Sequence, residues 1–155
     1  MVSAFAAYSG KEVEAAKYSG IAFAAIYGVF VMLVYYAQIT TLVQSVLTEE
    51  ATKLLDYQKF GLFFNYDLFG YGMLSVSTFF IGVTIFPENK EDKILKVLLL
   101  VHGMFSIASL IPVLGIFNAE MAGGDLIGIT VLEVWCLYFI PVCFLSYRYF
   151  KRKSN

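Results

Sequence analysis

The chain has 155 residues, 59% of them hydrophobic and only 15% charged, with a formal net charge of −1. One domain fits that length, the near-neutral balance points away from nucleic acid, and the apolar excess exceeds the globular norm of roughly half apolar and a quarter charged. Two cysteines and one histidine are too few for a metal cage or a disulfide framework, and no motif implies a cofactor.

The first seventeen residues open with an apolar stretch, and the first base, Lys11, comes after it. A secretory signal has the opposite order. A helix over residues 3–16 lying on the cytoplasmic face, with Ala and Phe toward lipid, is the expectation, with a disordered leader as the alternative. Four long runs follow. Residues 18–48 carry no charge, nor do 68–87 and 97–119 apart from His102, and 126–147 is broken only by Glu133. A helix needs about 20 mostly apolar residues to cross the hydrocarbon core, and strands would show short alternating segments instead. The expected fold is therefore all-α: an integral membrane four-helix up-down bundle forming one domain, with spans near 19–47, 66–86, 95–117 and 125–147. The first run exceeds the need, so it tilts or projects Gln44 and Ser45 beyond the bilayer.

The connectors are short. Residues 48–59 are charged and helix-compatible, Pro87-Glu88-Asn89-Lys90 stops the second helix, and Gly123-Gly124-Asp125 turns into the fourth. Nine of the eleven basic residues fall on one side, leaving only Lys53 and Lys59 on the other. By the positive-inside rule both termini and the middle loop are cytoplasmic, in what reads as a prokaryotic cell membrane.

An ionisable group inside a span costs roughly 2.5–3.5 kcal/mol on insertion scales, which makes each one a site hypothesis. Glu133 lies about 4 Å from the midplane of its span at about 1.5 Å of rise per residue. Tyr35 and Gln38 lie in the outer half of the first span. Asp67 is near the outer entry of the second, with Tyr71 one turn deeper and Ser75 and Thr78 continuing the same stripe. These depths would let Glu133 meet Tyr35, Gln38 or Tyr71 across the bundle, whereas His102 falls about 13 Å away in depth. Each residue also has a plainer role. The hydroxyls and Gln38 would make interhelical hydrogen bonds worth about 0.6 kcal/mol each. Asp67 would be an N-cap, and His102 a neutral residue bonded to a serine or carbonyl. Glu133 would be a protonated carboxyl bonded to a tyrosine or glutamine. Gly70, Gly72 and Gly82 read as packing positions, and Pro112 and Pro141 as kinks. Cys136 and Cys143, about 10 Å apart on one helix, are beyond disulfide reach.

Two segments, Tyr35-Tyr36-Ala37-Gln38-Ile39-Thr40 and Asp67-Leu68-Phe69-Gly70-Tyr71, resemble stretches of a set of small uncharacterised four-span membrane proteins of bacteria and archaea. The resemblance implies that Gln38, Asp67 and Tyr71 belong to one shared feature.

The functional expectation is a membrane protein that binds a lipid, another small apolar or amphipathic ligand, or a membrane partner. The binding residues would be Glu133, Gln38, Asp67, Tyr71 and Tyr35, with no metal and no nucleic acid. Two alternatives stay open: an enzyme acting on a lipid or isoprenoid with Glu133 as proton donor, and proton-coupled transport by a homo-oligomer, a dimer in the simplest case.

Overall fold

The computed structural model describes residues 1–44, 46–59, 61–109 and 126–154, without the side chains at 126–129 and 131. Among these residues every regular element is helical: α1 (Val2–Tyr8), α2 (Glu14–Thr40), α3 (Glu49–Leu55), α4 (Leu62–Thr84), α5 (Lys90–His102), α6 (Phe105–Ala108) and α7 (Leu126–Lys153). Two of the described segments, Lys11–Thr40 and Leu62–Thr84, are long and apolar enough to cross a membrane.

Helix ends follow local chemistry. Thr48 caps α3, its Oγ1 accepting from the Ala51 N–H at 3.2 Å, and Asn89 caps α5, its Oδ1 accepting from Asp92 at 3.0 Å. Pro87, with a fixed φ and no N–H, lies between α4 and α5 as expected. Several boundaries differ from the sequence reading, among them the starts of α4 at Leu62 and of α5 at Lys90, each about a turn earlier than expected. α2 stops at Thr40 and residues 41–43 form a turn, so the surplus of the first run leaves the helix rather than lengthening it. Ser45 lies outside the described residues. The third run is interrupted at Gly103 and Met104, whose N–H groups reach back three residues to Leu100 and Val101. A Cβ on Gly103 would sit 2.7 Å from the Phe79 Cβ, so the break lies where the chain packs tightly against α4. After α6, the run from residue 110 onward, with Pro112, and the Gly123-Gly124-Asp125 turn lie outside the described residues. α7 continues through Pro141 to Lys153.

α4 is the central element and packs against α1, α2, α3, α5 and α6. Ser77 Oγ donates to the Gly20 carbonyl at 2.7 Å, while Gly70 lies against Phe30 and Val31, so α2 and α4 run antiparallel. Gly82 lies against Leu99 and Leu100, and Thr78 against His102, which sets α5 antiparallel to α4. Tyr138 bonded to Leu98 and Arg148 paired with Glu91 set α7 antiparallel to α5. The packing role read for the glycines holds: a Cβ on Gly82 would lie 3.1 Å from Leu99 and Leu100, and one on Gly70 3.2 Å from Val31.

The buried interior is unusually polar. Ser75, Ser77, Thr78, Thr84, Ser109 and Ser146 are all buried. Most of these hydroxyls donate to a carbonyl three or four residues back on their own helix, as Ser75 does to Gly72 and Ser146 to Val142. That local bond satisfies the donor without a partner helix, so small hydroxyl residues can line a close-packed interface. The apolar core lies toward one end and consists of Phe5, Ile81, Ile85, Leu95, Leu99, Val142 and Tyr149.

The N-terminal expectation is corrected here. α1 covers Val2–Tyr8 only, and Phe5 and Ala6 are buried on the protein rather than turned toward lipid. Phe5 packs against the rings of Tyr149 and Phe150, at centroid distances of 5.4 and 4.5 Å. Aromatic burial against α7 outweighs what one ring would gain by lying flat in the interface.

An ion-pair network closes the same end. Arg148 and Arg152 reach Glu91 at 2.7 and 2.8 Å, Arg152 also pairs with Asp92, and Lys153 pairs with Glu88. Asp92 is almost fully buried and accepts further hydrogen bonds from the Glu88 N–H and the Asn89 side chain. The Glu88 carboxylate holds the Lys153 ammonium above its ordinary pKa.

Candidate functional site

The helical period places Asp67, Tyr71, Ser75 and Thr78 on one stripe of α4, as the sequence reading expected. Asp67 and Thr78, eleven positions apart, are separated by about 16 Å along the helix at about 1.5 Å per residue. At its start Asp67 faces the tyrosines of both helices, with Tyr27 and Tyr35 from α2 and Tyr71 from α4 all within its electrostatic reach. The Tyr35 and Tyr71 hydroxyls interact, and the Tyr27 and Tyr71 rings lie 5.7 Å apart. Among the described residues Asp67 Oδ1 is sealed from solvent and has no hydrogen-bond partner. The N-cap reading of Asp67 is overturned. α4 begins at Leu62 with Gly61 as its cap, so Asp67 lies beyond the first turn, where the backbone N–H groups already have helical partners.

At the inner end of the stripe lies His102, the last residue of α5, which is 5% exposed. Trp135 Nε1 donates to its Nε2 at 3.1 Å, and Thr78 Oγ1 lies 2.7 Å from its Nδ1. A ring nitrogen that accepts carries no proton, so the imidazole proton is on Nδ1 and points at Thr78. Thr78 in turn donates to the Ser75 carbonyl at 2.9 Å. The chain Trp135 to His102 to Thr78 to Ser75 is thus directional, and both imidazole nitrogens are engaged. Phe105, Tyr138 and Phe139 surround the ring, with Phe139 edge-on at 4.8 Å.

Trp135 links the two ends of the stripe. Its indole meets the Tyr71 ring edge-on at 5.4 Å while its N–H holds His102. Beside it a groove of about 470 Å³ opens between α5–α6 and α7. Its walls are Val101, Met104, Phe105 and Ala108 on one side and Thr130, Val134 and Tyr138 on the other, with His102 and Trp135 also lining it. The volume falls in the range of small-molecule sites, about 300–1,000 Å³.

The five residues singled out by depth do not form one cluster. Tyr35, Asp67 and Tyr71 come together, joined by Tyr27. Gln38 is committed elsewhere: its Nε2 donates to the Leu55 carbonyl at 2.8 Å and tethers α3 to α2. Glu133 is exposed on α7, outside the cluster, and makes no ion pair among the described residues. The expected isolation of His102 is also corrected. α7 is placed so that Trp135 reaches His102, and Glu133 is only two residues, about 3 Å of rise, from Trp135. What keeps Glu133 from His102 is direction, since two residues turn about 200° around a helix. The missed feature left one trace in the sequence: the single tryptophan and the single histidine both fall within apolar runs.

Cys136 and Cys143 are free and exposed on α7, and no group of three or more metal-ligating side chains gathers among the described residues. Comparison with protein-family models finds no match, and comparison with curated proteins and with solved structures finds none either, so the site's chemistry is argued from its own residues.

Proposed function

We propose that this chain is a four-span, up-down integral membrane protein with both termini cytoplasmic, and that it binds a small amphipathic molecule from the bilayer in the groove beside Trp135. Support for the membrane reading comes from how residue types are distributed. In the apolar window of Lys11–Thr40 only 11% of residues are buried, so this is no core helix of a water-soluble fold. Val29, Met32, Tyr36 and Ile39 on α2, and Leu137, Ile140 and Phe144 on α7, point outward while serines and threonines fill the interior. Water would penalise an apolar exterior of that extent, whereas lipid tails solvate it. The antiparallel pairs α2–α4, α4–α5 and α5–α7 fit alternating spans, and the paired Glu91 and Arg152 fit a common cytoplasmic end.

The observation that carries the binding reading is the groove of about 470 Å³ with an aromatic floor and few polar groups. Its one histidine favours binding over catalysis. A general base needs a free lone pair, and the lone pair of His102 is occupied by the Trp135 N–H.

Because Trp135 is the sole tryptophan, its emission reports on the groove directly. In a nonionic detergent, a dodecanol brominated at mid-chain should quench it along a saturating curve. Ala108→Phe, which fills the groove from α6, should weaken that binding several-fold. Quenching that grows linearly with the micellar fraction of probe, or that ignores Ala108→Phe, rejects the groove as a site.

A further inference from the structure

Asp67 contrasts with every other carboxylate that the helices enclose. Asp92 has Arg152, Asn89 and a backbone N–H as partners. Asp67 Oδ1 is as thoroughly sealed from solvent, yet among the described residues it has neither a hydrogen bond nor a basic partner. An acceptor left in that state costs roughly 1–3 kcal/mol, more when charged, so a fold retains it only for a compensating reason. The chain's own cations do not supply one. Lys17, Lys96, Arg148 and Lys153 rest on the rings of Tyr18, Phe86, Phe144 and Tyr149, all toward the opposite end of the helices. Lys53, nearer in sequence, is paired with Glu49 at 2.8 Å.

Around Asp67 stand Tyr27, Tyr35 and Tyr71. A carboxylate bordered by several tyrosines suits an organic ammonium, whose diffuse charge is attracted by both the aromatic rings and the anion. A metal ion fits less well, because among the described residues no group of three or more carboxylate, histidine or cysteine side chains gathers to complete its shell. Tyr71 also meets the ring of Trp135, which lines the groove, so one ring contact joins the tyrosines around Asp67 to it. Although Oδ1 is sealed, Asp67 as a residue is only partly buried and Tyr35 is 41% exposed, which leaves the cluster open on one side.

We propose that the ligand is a cationic amphiphile whose ammonium group docks at Asp67 among Tyr27, Tyr35 and Tyr71 while its apolar chain lies in the groove beside Trp135. The inference rests on the groove reading and adds the chemistry of the head group.

Two probes of equal chain length, each brominated at mid-chain, separate the two claims: dodecyltrimethylammonium and dodecanol. With the full-length protein in nonionic detergent, both should quench Trp135 saturably, the ammonium binding about tenfold more tightly at equal micellar fraction. Asp67→Asn should remove that preference and leave dodecanol binding unchanged, which also shows that the variant is folded. Equal affinity of the two probes for the wild-type chain overturns the ammonium site while the groove stands. If neither probe saturates, both readings fall. Should Asp67→Asn fail to fold, the wild-type ratio of the two affinities decides alone.

Discussion

At one end of the helices Asp92 is enclosed together with everything a buried carboxylate needs: the Arg152 guanidinium, the Asn89 amide and the Glu88 N–H. At the other end Asp67 is partly buried beside tyrosines and keeps an oxygen that nothing described donates to. The two ends also differ in their apolar surroundings. Phe5, Ile85, Leu95 and Tyr149 pack the Asp92 end into a continuous core, whereas beyond His102 the described helices leave a groove. Satisfied charge above a filled core is how a chain locks helices together. An acceptor without a donor, joined through Tyr71 and Trp135 to a groove, is how a chain keeps a place for something else.

The comparison breaks most visibly if the two ends do not lie on opposite sides of the membrane. In a chain carrying Cys136→Ser and Cys143→Ser, a cysteine at Gln58 should react with an impermeant maleimide on intact cells, and one at Ser154 only after permeabilisation. Labelling of both positions, or the reverse pattern, would remove the proposed orientation.

Stability provides the next test. Arg152→Ala leaves Asp92 buried without its cation and should cost about 3 kcal/mol, the lower end for breaking a buried ion pair, because two hydrogen bonds remain. The check is thermal or denaturant unfolding in detergent, and a loss below about half a kcal/mol would mean that Asp92 is hydrated after all.

The smallest effect has the opposite sign. Asp67→Asn removes a charge that has no partner, so the ligand-free protein should become more stable, by about 1 kcal/mol. A clear destabilisation would show that Asp67 serves the fold as Asp92 does and would end the contrast.

Much of the helical layout was legible in the sequence, because long apolar runs, a proline and capping residues act through the backbone locally. α3 begins where Thr48 offers a cap, and α5 begins where Asn89 does. The Asp67–Tyr71–Ser75–Thr78 stripe was legible for the same reason, since residues three or four apart share a helix face. Relations between helices were less accessible. Gln38 lies within one turn of Tyr35 on α2 but bonds to Leu55, a partner chosen by where the α3 connector folds back. Phe5 could have faced lipid with equal local propensity, and only the proximity of Tyr149 and Phe150 turns it inward.

The sequence by itself determined that the chain is helical, which stretches are apolar enough for a bilayer, and which face of α4 is polar. These depend on composition and on a period of about 3.6 residues. Only the tertiary structure decided that His102 and Trp135 meet, that Glu133 stays outside, and that Asp67 is enclosed without a partner. Each of those outcomes depends on the axial stagger and rotation of one helix against another. Side chains from segments far apart in sequence set both, and no local pattern encodes them.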